Sequence, residues 1–261
     1  MTEKKNNSKP VLPSLFITGT DTGVGKTVLS ALLGLIYQAA DLKVAYFKPV
    51  ETGARREENG LVPEDTKFVA TVLGLEEPFD VLCPYCFEPP VSPHLAAHMA
   101  KKPIRREVIT ECFEYLQKFY DAVIVEGTGG LLVPLADSFL VADLASELAL
   151  PLLITARPGL GTLIHTFLTI ASAVQVNLKL AGVVLNRYPE DPDLAAKDNP
   201  KAISKFSGVP VLALVPEIPG LDLQEPRREP LAKEALKLNE RYRLDQVFAK
   251  FAAREEDDVQ P

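Results

Sequence analysis

The stretch Leu15-Phe16-Ile17-Thr18-Gly19-Thr20-Asp21-Thr22-Gly23-Val24-Gly25-Lys26-Thr27-Val28-Leu29-Ser30-Ala31-Leu32-Leu33-Gly34-Leu35-Ile36 decides the fold. Its first four residues are an apolar run that reads as a short buried strand, and Val28 to Ile36 reads as a buried helix. Between them lies a glycine-rich turn that ends in Gly-Lys-Thr. Such a turn wraps the phosphates of a nucleoside triphosphate. Backbone N–H groups of the turn and the helix N-terminus point at the anion, the lysine adds positive charge, and the threonine hydroxyl holds Mg²⁺. The turn departs from the standard signature in its spacing, with five residues between Gly19 and Gly25. It marks the chain as a binder of ATP or GTP.

Outward from this turn, apolar runs recur with helical patterns between them. They are Val44 to Phe47, Ala122 to Val125, Leu152 to Thr155, Leu180 to Leu185 and Val211 to Leu214. Apolar runs without alternation suit strands covered by helices on both faces. Helical patterns span Asp65 to Leu73, Pro93 to Ala100, Arg105 to Phe119, Ala142 to Leu148, Thr162 to Gln175 and Lys201 to Phe206. Leu244, Val247, Phe248 and Phe251 add an amphipathic helix that packs on the sheet. The expected architecture is α/β: a doubly wound, mostly parallel sheet of the P-loop NTPase type in a single domain. The domain is expected over 15–252, after a disordered lead-in over 1–14 and before an acidic tail over 253–261. The proline-rich stretch from Leu75 to Pro93 reads as a shaped surface loop.

Composition narrows the function. The chain has 261 residues, 47% hydrophobic and 24% charged, with a formal net charge of −7. That balance suits a globular protein and argues against nucleic acid as a partner, which needs a basic face. No apolar run is long enough to cross a bilayer, so no membrane role is expected. Three cysteines without a signal-peptide pattern make no disulfide framework, and a cytoplasmic, reducing setting follows.

Ligands of doubly wound sheets sit outside the carboxyl ends of the strands. After the second strand comes Lys48-Pro49-Val50-Glu51-Thr52-Gly53, where Lys48 either faces the phosphates opposite Lys26 or is a surface lysine before a proline turn. After the third comes Glu126-Gly127-Thr128-Gly129-Gly130, a carboxylate placed where such proteins hold Mg²⁺, with glycines that let backbone approach a ligand. Cys83-Pro84-Tyr85-Cys86 spells a thiol redox motif but lies in the proline-rich loop with no helix starting at Cys83. His94 and His98 share i, i+4 spacing, without a third ligand for zinc, and read as ordinary hydrogen-bonded histidines.

These pieces together resemble dethiobiotin synthetases, ATP-dependent ligases of biotin synthesis. Gly19 to Thr27 is similar to that family's long loop, extra residue included. Lys48-Pro49-Val50 with Thr52-Gly53 is similar to its second-strand motif, and Pro90-Val91-Ser92-Pro93-His94 to its proline-rich loop. Glu126 to Gly130, Leu160-Gly161-Thr162 with His165, Asn186, and Glu217-Ile218-Pro219 also match. The resemblance runs from Leu15 to Leu221.

The resemblance implies that 7,8-diaminopelargonate takes up CO₂ to form a carbamate, which accepts the γ-phosphoryl of ATP before ring closure. It implies Lys48, Lys26 and Thr22 as the catalytic set, with Lys48 bridging carbamate and phosphoryl. Thr27, Asp65 and Glu126 would organise Mg²⁺, Asp65 by position alone. ATP would be bound by Gly23, Val24, Gly25, Lys26, Thr27 and Val28, by Asp65, and by Glu126, Gly127, Thr128 and Gly129. Asn186, Arg187, Pro219, Gly220 and Leu221 would surround the base.

Thr52 would hydrogen-bond the substrate, and Thr162, Leu163 and Ile164 of a partner subunit would receive its carboxylate, so a homodimer is expected. The family has asparagine where this chain has Ile164. Loss of one hydrogen bond to a charged group costs about 1.5–3 kcal/mol of affinity. A partition or positioning ATPase of the same loop class is the alternative. Such proteins carry a second lysine early in the loop, and Gly19 to Gly23 has none. An amidotransferase-type synthetase is a third reading, without the glutaminase domain that would go with it.

Overall fold

The computed structural model describes residues 11–258. All six apolar runs are strands: β1 (Leu15–Gly19), β2 (Val44–Phe47), β3 (Ala122–Glu126), β4 (Leu152–Ala156), β5 (Leu180–Tyr188) and β6 (Val211–Pro216). They form one sheet in the order β6-β5-β4-β1-β3-β2, each adjacent pair parallel. After β3 the chain crosses back over β1 to β4, so the strand order reverses about β1. A crevice at the carboxyl ends is expected at that reversal.

Ten helices are present among the described residues: α1 (Lys26–Ala39), α2 (Glu64–Leu73), α3 (Phe79–Leu82), α4 (Pro93–Met99), α5 (Arg106–Phe119), α6 (Val141–Glu147), α7 (Thr162–Gln175), α8 (Leu194–Ser207), α9 (Arg228–Tyr242) and α10 (Leu244–Asp258). Two apolar cores lie on opposite faces of the sheet. Phe16, Phe47, Val125 and Ile154 meet Phe113 of α5, Ala145 of α6 and Ile203 of α8 on one face. Leu15, Ile17, Tyr46 and Ile124 meet Leu32 of α1, Phe68 of α2, Leu231 of α9 and Phe248 of α10 on the other. Adjacent residues of one strand thus enter different cores, which is why the strands read as unbroken apolar runs.

Four expectations need correction. Residues 11–14 pack instead of trailing: Leu12 is buried, Tyr37 donates to the Pro13 carbonyl at 3.0 Å, and the Val123 N–H donates to Ser14 Oγ at 2.9 Å. Residues 1–10 of the expected lead-in lie outside the described residues. At the other end α10 stays helical to Asp258, where an acidic tail outside the domain was expected from residue 253; residues 259–261 lie outside the described residues. The proline-rich stretch is more than a surface loop. It holds α3 and a strand, Tyr85–Phe87, paired in parallel with Val50–Thr52, and it buries Leu82 and Phe87 in the core.

The fourth correction concerns α8, which starts at Leu194 and carries Pro200 in its interior. A proline removes one N–H and orphans the carbonyl four residues back. Here that carbonyl, on Ala196, accepts from the Tyr188 hydroxyl at 3.0 Å, and Asp193 caps the start through Ala196 N–H at 2.7 Å.

Candidate functional site

The turn after β1 is held open in front of α1, as the expected phosphate cradle requires. Gly25, the residue before α1, has φ 88° and ψ 35°, a left-handed conformation that favours glycine. A Cβ there would run into Asn186 Nδ2. That amide donates to the Val24 and Gly25 carbonyls at 3.0 and 3.1 Å and so fixes the turn from the end of β5. No side chain caps α1, which leaves its first N–H groups for an anion. Lys26 Nζ reaches back to the Asp21 carbonyl at 3.5 Å. Burial pushes its amine below the usual lysine range, partly offset by Glu126.

Across the crevice, three charged side chains meet. Lys48, just past β2, donates to Glu126 Oε1 at 2.8 Å and to Asp65 Oδ2. Burial alone would lower its pKa, but Asp65, Glu126 and Glu51 overcome that and hold the amine well above its ordinary value. For Asp65 burial pulls upward, and the charge and hydrogen bond of Lys48 hold the carboxyl below its ordinary value. Glu126 is fully buried at the end of β3. Its Oε1 accepts from Thr27 Oγ1 at 3.1 Å and from Lys48; its Oε2 accepts from Ser30 Oγ and Tyr46 OH, each at 2.9 Å. Burial, reinforced by Glu126, pushes the Tyr46 phenol well above its ordinary range, so it remains a donor.

Asp65 is placed by a residue outside the sequence reading. Glu51 accepts from the backbone N–H groups of Asp65 and Thr66 at 2.9 and 3.2 Å and from Thr66 Oγ1 at 2.9 Å. It thereby serves as the missing cap of α2, whose preceding Pro63 provides none. Burial pushes its carboxyl above the ordinary range, opposed by Lys48.

These groups border a cavity of about 590 Å³. Thr22, Gly23, Gly25, Lys26, Thr27, Val28, Lys48, Thr52, Asp65, Glu126, Thr128, Gly129 and Arg187 all face it. Of the remaining expected residues, Val24 and Asn186 are buried behind the turn. Gly127 backs the site, where a Cβ would press on Phe16 and Val141 at 3.0 and 3.1 Å. Pro219, Gly220 and Leu221 border a second hollow of about 940 Å³, between the ends of β5 and β6 and α9. Arg187 and Leu223 border the first hollow while Tyr188 and Leu221 border the second, so the two run side by side. Thr162, Leu163 and Ile164 border neither. Thr162 is buried, Leu163 is half-buried, and Ile164 is 61% exposed.

Glu51, Ser30 and Tyr46 went unread. The available signal was a polar group inside an apolar run: Ser30 one turn past Lys26, Tyr46 within β2, Glu51 within a buried strand. Pro90, Val91, Ser92 and Pro93 also wall the cavity.

The oxygen set suits Mg²⁺, which takes one or two carboxylates and keeps its remaining positions for water and phosphate. Lys48 already places a cation between Asp65 and Glu126, beside the Thr27 hydroxyl. Among the described residues no group of three or more His, Cys, Asp or Glu is disposed to hold a metal, and His94 and His98 are exposed. The Cys-Pro-Tyr-Cys thiols are equally unsuited to redox work. Burial and the Glu51 carboxylate push Cys83 well above its ordinary value and Cys86 up to about 12, and Cys83 ends α3 instead of starting a helix.

Comparison with known proteins agrees with this geometry. A family model described as "AAA domain" matches residues 13–225. ATP-dependent dethiobiotin synthetase of Clostridium kluyveri is 36% identical over 215 residues, 81% of this chain and 88% of the relative. The enzyme of the same name from Bacillus cereus is 38% identical over 210 residues, 80% of this chain and 85% of the relative. Among solved structures, a chain of the MinC:MinD cell division protein complex of Aquifex aeolicus is similar with a TM-score of 0.52. It covers 95% of this chain and 98% of its own length at 17% identity, a likeness of fold alone. With the extra residue of the phosphate turn, the Lys48 strand end and Glu126 gathered at one crevice, this chain belongs to the dethiobiotin synthetase family.

Proposed function

We propose that this chain is an ATP-dependent cyclo-ligase that converts 7,8-diaminopelargonate and CO₂ into dethiobiotin, with release of ADP and phosphate. The observation that carries the reading is the position of Lys48: a buried amine across the cavity from Lys26, between two carboxylates that hold its pKa well above the ordinary value. One substrate amine adds to CO₂ and loses a proton to form a carbamate. A carbamate oxygen attacks the γ-phosphorus of ATP and ADP leaves. The second amine then attacks the carbonyl carbon, expels phosphate and closes the cyclic urea. Negative charge builds on oxygen at each step, so the protein's work is positioning and charge stabilisation.

Lys26 and the α1 N–H groups bind the β- and γ-phosphates, while Lys48 neutralises the carbamate and the passing phosphoryl. Thr22 approaches the phosphates from the exposed crest of the turn, and Thr52 orients the substrate amines. Thr27, Asp65 and Glu126 would hold Mg²⁺, whose charge neutralises the phosphate oxygens. The base lies toward Arg187 and the hollow bordered by Pro219, Gly220 and Leu221, with Asn186 beside it.

The substrate carboxylate is received by Thr162, Leu163 and Ile164 of a second copy. Support for that homodimer is the apolar face of α7 and the turn before it: Leu160, Ile164 and Leu168, spaced one turn apart, are 95%, 61% and 60% exposed. No helix of the described residues is long and apolar enough to cross a membrane, and a cytoplasmic setting supplies the ATP.

The test is incubation with ATP, Mg²⁺, labelled bicarbonate and 7,8-diaminopelargonate. Acid-stable label in a cyclic urea, with phosphate release that depends on the diamine, is expected. Substrate-independent ATP hydrolysis without labelled urea would favour the partition-type ATPase instead.

A further inference from the structure

Tyr46 is the one polar residue of β2, fully buried among Val44, Ala45 and Phe47. Its register partner in β3 is Ile124, and Glu126 lies two residues further along the same face of that strand. The ring packs into the core under α1, and phenylalanine would satisfy that packing equally. The hydroxyl is what distinguishes it, and a buried tyrosine hydroxyl needs a partner. It donates to Glu126 Oε2 at 2.9 Å.

Ser30 reaches the same oxygen at 2.9 Å, but its hydroxyl also lies 2.9 Å from the Lys26 carbonyl. A serine has one proton, so it cannot donate to both acceptors at once. Tyr46 is therefore the undivided donor to Oε2. The opposite oxygen, Oε1, is turned to Thr27 and Lys48 on the cavity side.

We infer that Tyr46 is a positioning residue: its hydroxyl holds Oε2 away from the cavity, so that Glu126 presents Oε1 alone to the metal. The inference rests on the proposed metal role of Glu126. Without the phenolic proton, the carboxylate is free to turn about its terminal torsion, which is broad and weakly restrained. The oxygen that faces the metal is then no longer fixed before binding.

The test uses the full chain saturated with ADP and reads the apparent Mg²⁺ affinity by calorimetry, beside the thermal midpoint. Tyr46→Phe keeps the ring and removes one oxygen. The expected result is a loss of Mg²⁺ affinity of about tenfold, the scale of one hydrogen bond to a charged group. Glu126→Gln is expected to lose more, and in the Glu126→Gln background Tyr46→Phe should change Mg²⁺ affinity by less than about twofold, because its effect runs through that carboxylate. Unchanged Mg²⁺ affinity in Tyr46→Phe, or the same loss in both backgrounds, overturns the inference, whatever happens to the midpoint. If Glu126→Gln itself binds Mg²⁺ normally, the metal role of Glu126 falls and takes the inference with it. Should Tyr46→Phe fail to fold, Ser30→Ala is read instead: a loss of less than about threefold is expected, because Tyr46 still holds Oε2, and a loss of about tenfold or more, which would make Ser30 the residue that holds it, overturns the inference.

Discussion

The crevice at the ends of β1 and β3 and the start of α7 are built on opposite plans. At the crevice Glu126 has four donors, Lys48 has two carboxylates, and Asp65 is set in place by Glu51 holding its backbone. The start of α7 has Gly161 before it, no side-chain cap, and apolar side chains turned outward. The first region is complete within one chain, and its charges are fixed before any ligand arrives, as electrostatic catalysis requires. The second leaves Leu160, Ile164 and Leu168 exposed, the face that the proposed homodimer would cover. On the proposed reading, phosphoryl transfer is prepared within one chain, while recognition of the substrate's far end is left to a second copy.

The largest expected effect comes from breaking the prepared side. Lys48→Ala should cut product formation on the order of 10²–10³-fold, the usual loss for one group aimed at developing charge. ADP binding, measured by calorimetry, should change little, because Lys26 and the turn remain. Strong loss of nucleotide affinity with normal turnover would place Lys48 among the nucleotide ligands instead. The same variant leaves Asp65 and Glu126 facing each other without their cation. Asp65 is about a third exposed, so the stability cost belongs at or below the low end of the 3–5 kcal/mol range for a broken buried pair. Mg²⁺ with ADP should recover part of it.

Next in size is Glu51→Ala. It strips the cap from α2 and leaves two backbone N–H groups with no acceptor, a cost of about 1–3 kcal/mol. Denaturant unfolding reads this directly. Glu51→Gln keeps an acceptor and should lose less; equal losses would mean that charge, not capping, is what Glu51 provides.

How far the sequence reaches follows the same division. The six strands were legible because helices cover both faces of the sheet, so each strand carries an apolar run with few polar residues in it. The phosphate turn was legible because glycine, lysine and threonine have few other reasons to stand at that spacing. Asp65 was placed by position and does meet Lys48. Glu51 was not legible: its role depends on the Val50–Thr52 and Tyr85–Phe87 pairing, a contact between segments more than thirty residues apart. Helix α8 was read short because Pro200 looks like a start, and only Tyr188, from another element, explains its tolerance. Helix α9 was missed although Leu231, Ala235 and Leu238 follow helical spacing, because the charged residues around them hide the stripe.

The unprepared side can be sharpened by supplying what it lacks. Ile164→Asn adds an amide at the exposed start of α7, where the family carries asparagine. One hydrogen bond to a carboxylate predicts a KM for 7,8-diaminopelargonate lower by about tenfold, with kcat unchanged. If KM does not move, the carboxylate is held elsewhere and the role of α7 in substrate recognition fails.

The smallest effect tests whether preparation depends on burial or merely on charge pairing. Arg157, just after β4, pairs with Asp21 at the crest of the turn, as Lys48 pairs with Asp65 in the crevice. The Arg157 and Asp21 side chains are 60% and 49% exposed, against 5% for Lys48. Water and salt screen the crest pair, and exposed pairs contribute about 0–1 kcal/mol. Asp21 also accepts from the Thr22 N–H at 2.7 Å, so the turn keeps a local restraint when the arginine is gone. Arg157→Ala should therefore weaken ADP binding by less than about threefold, and the difference should vanish in high salt. A loss comparable to that of Lys48→Ala in product formation would mean that the crest contributes to catalysis as the buried cluster does, and the contrast between them would collapse.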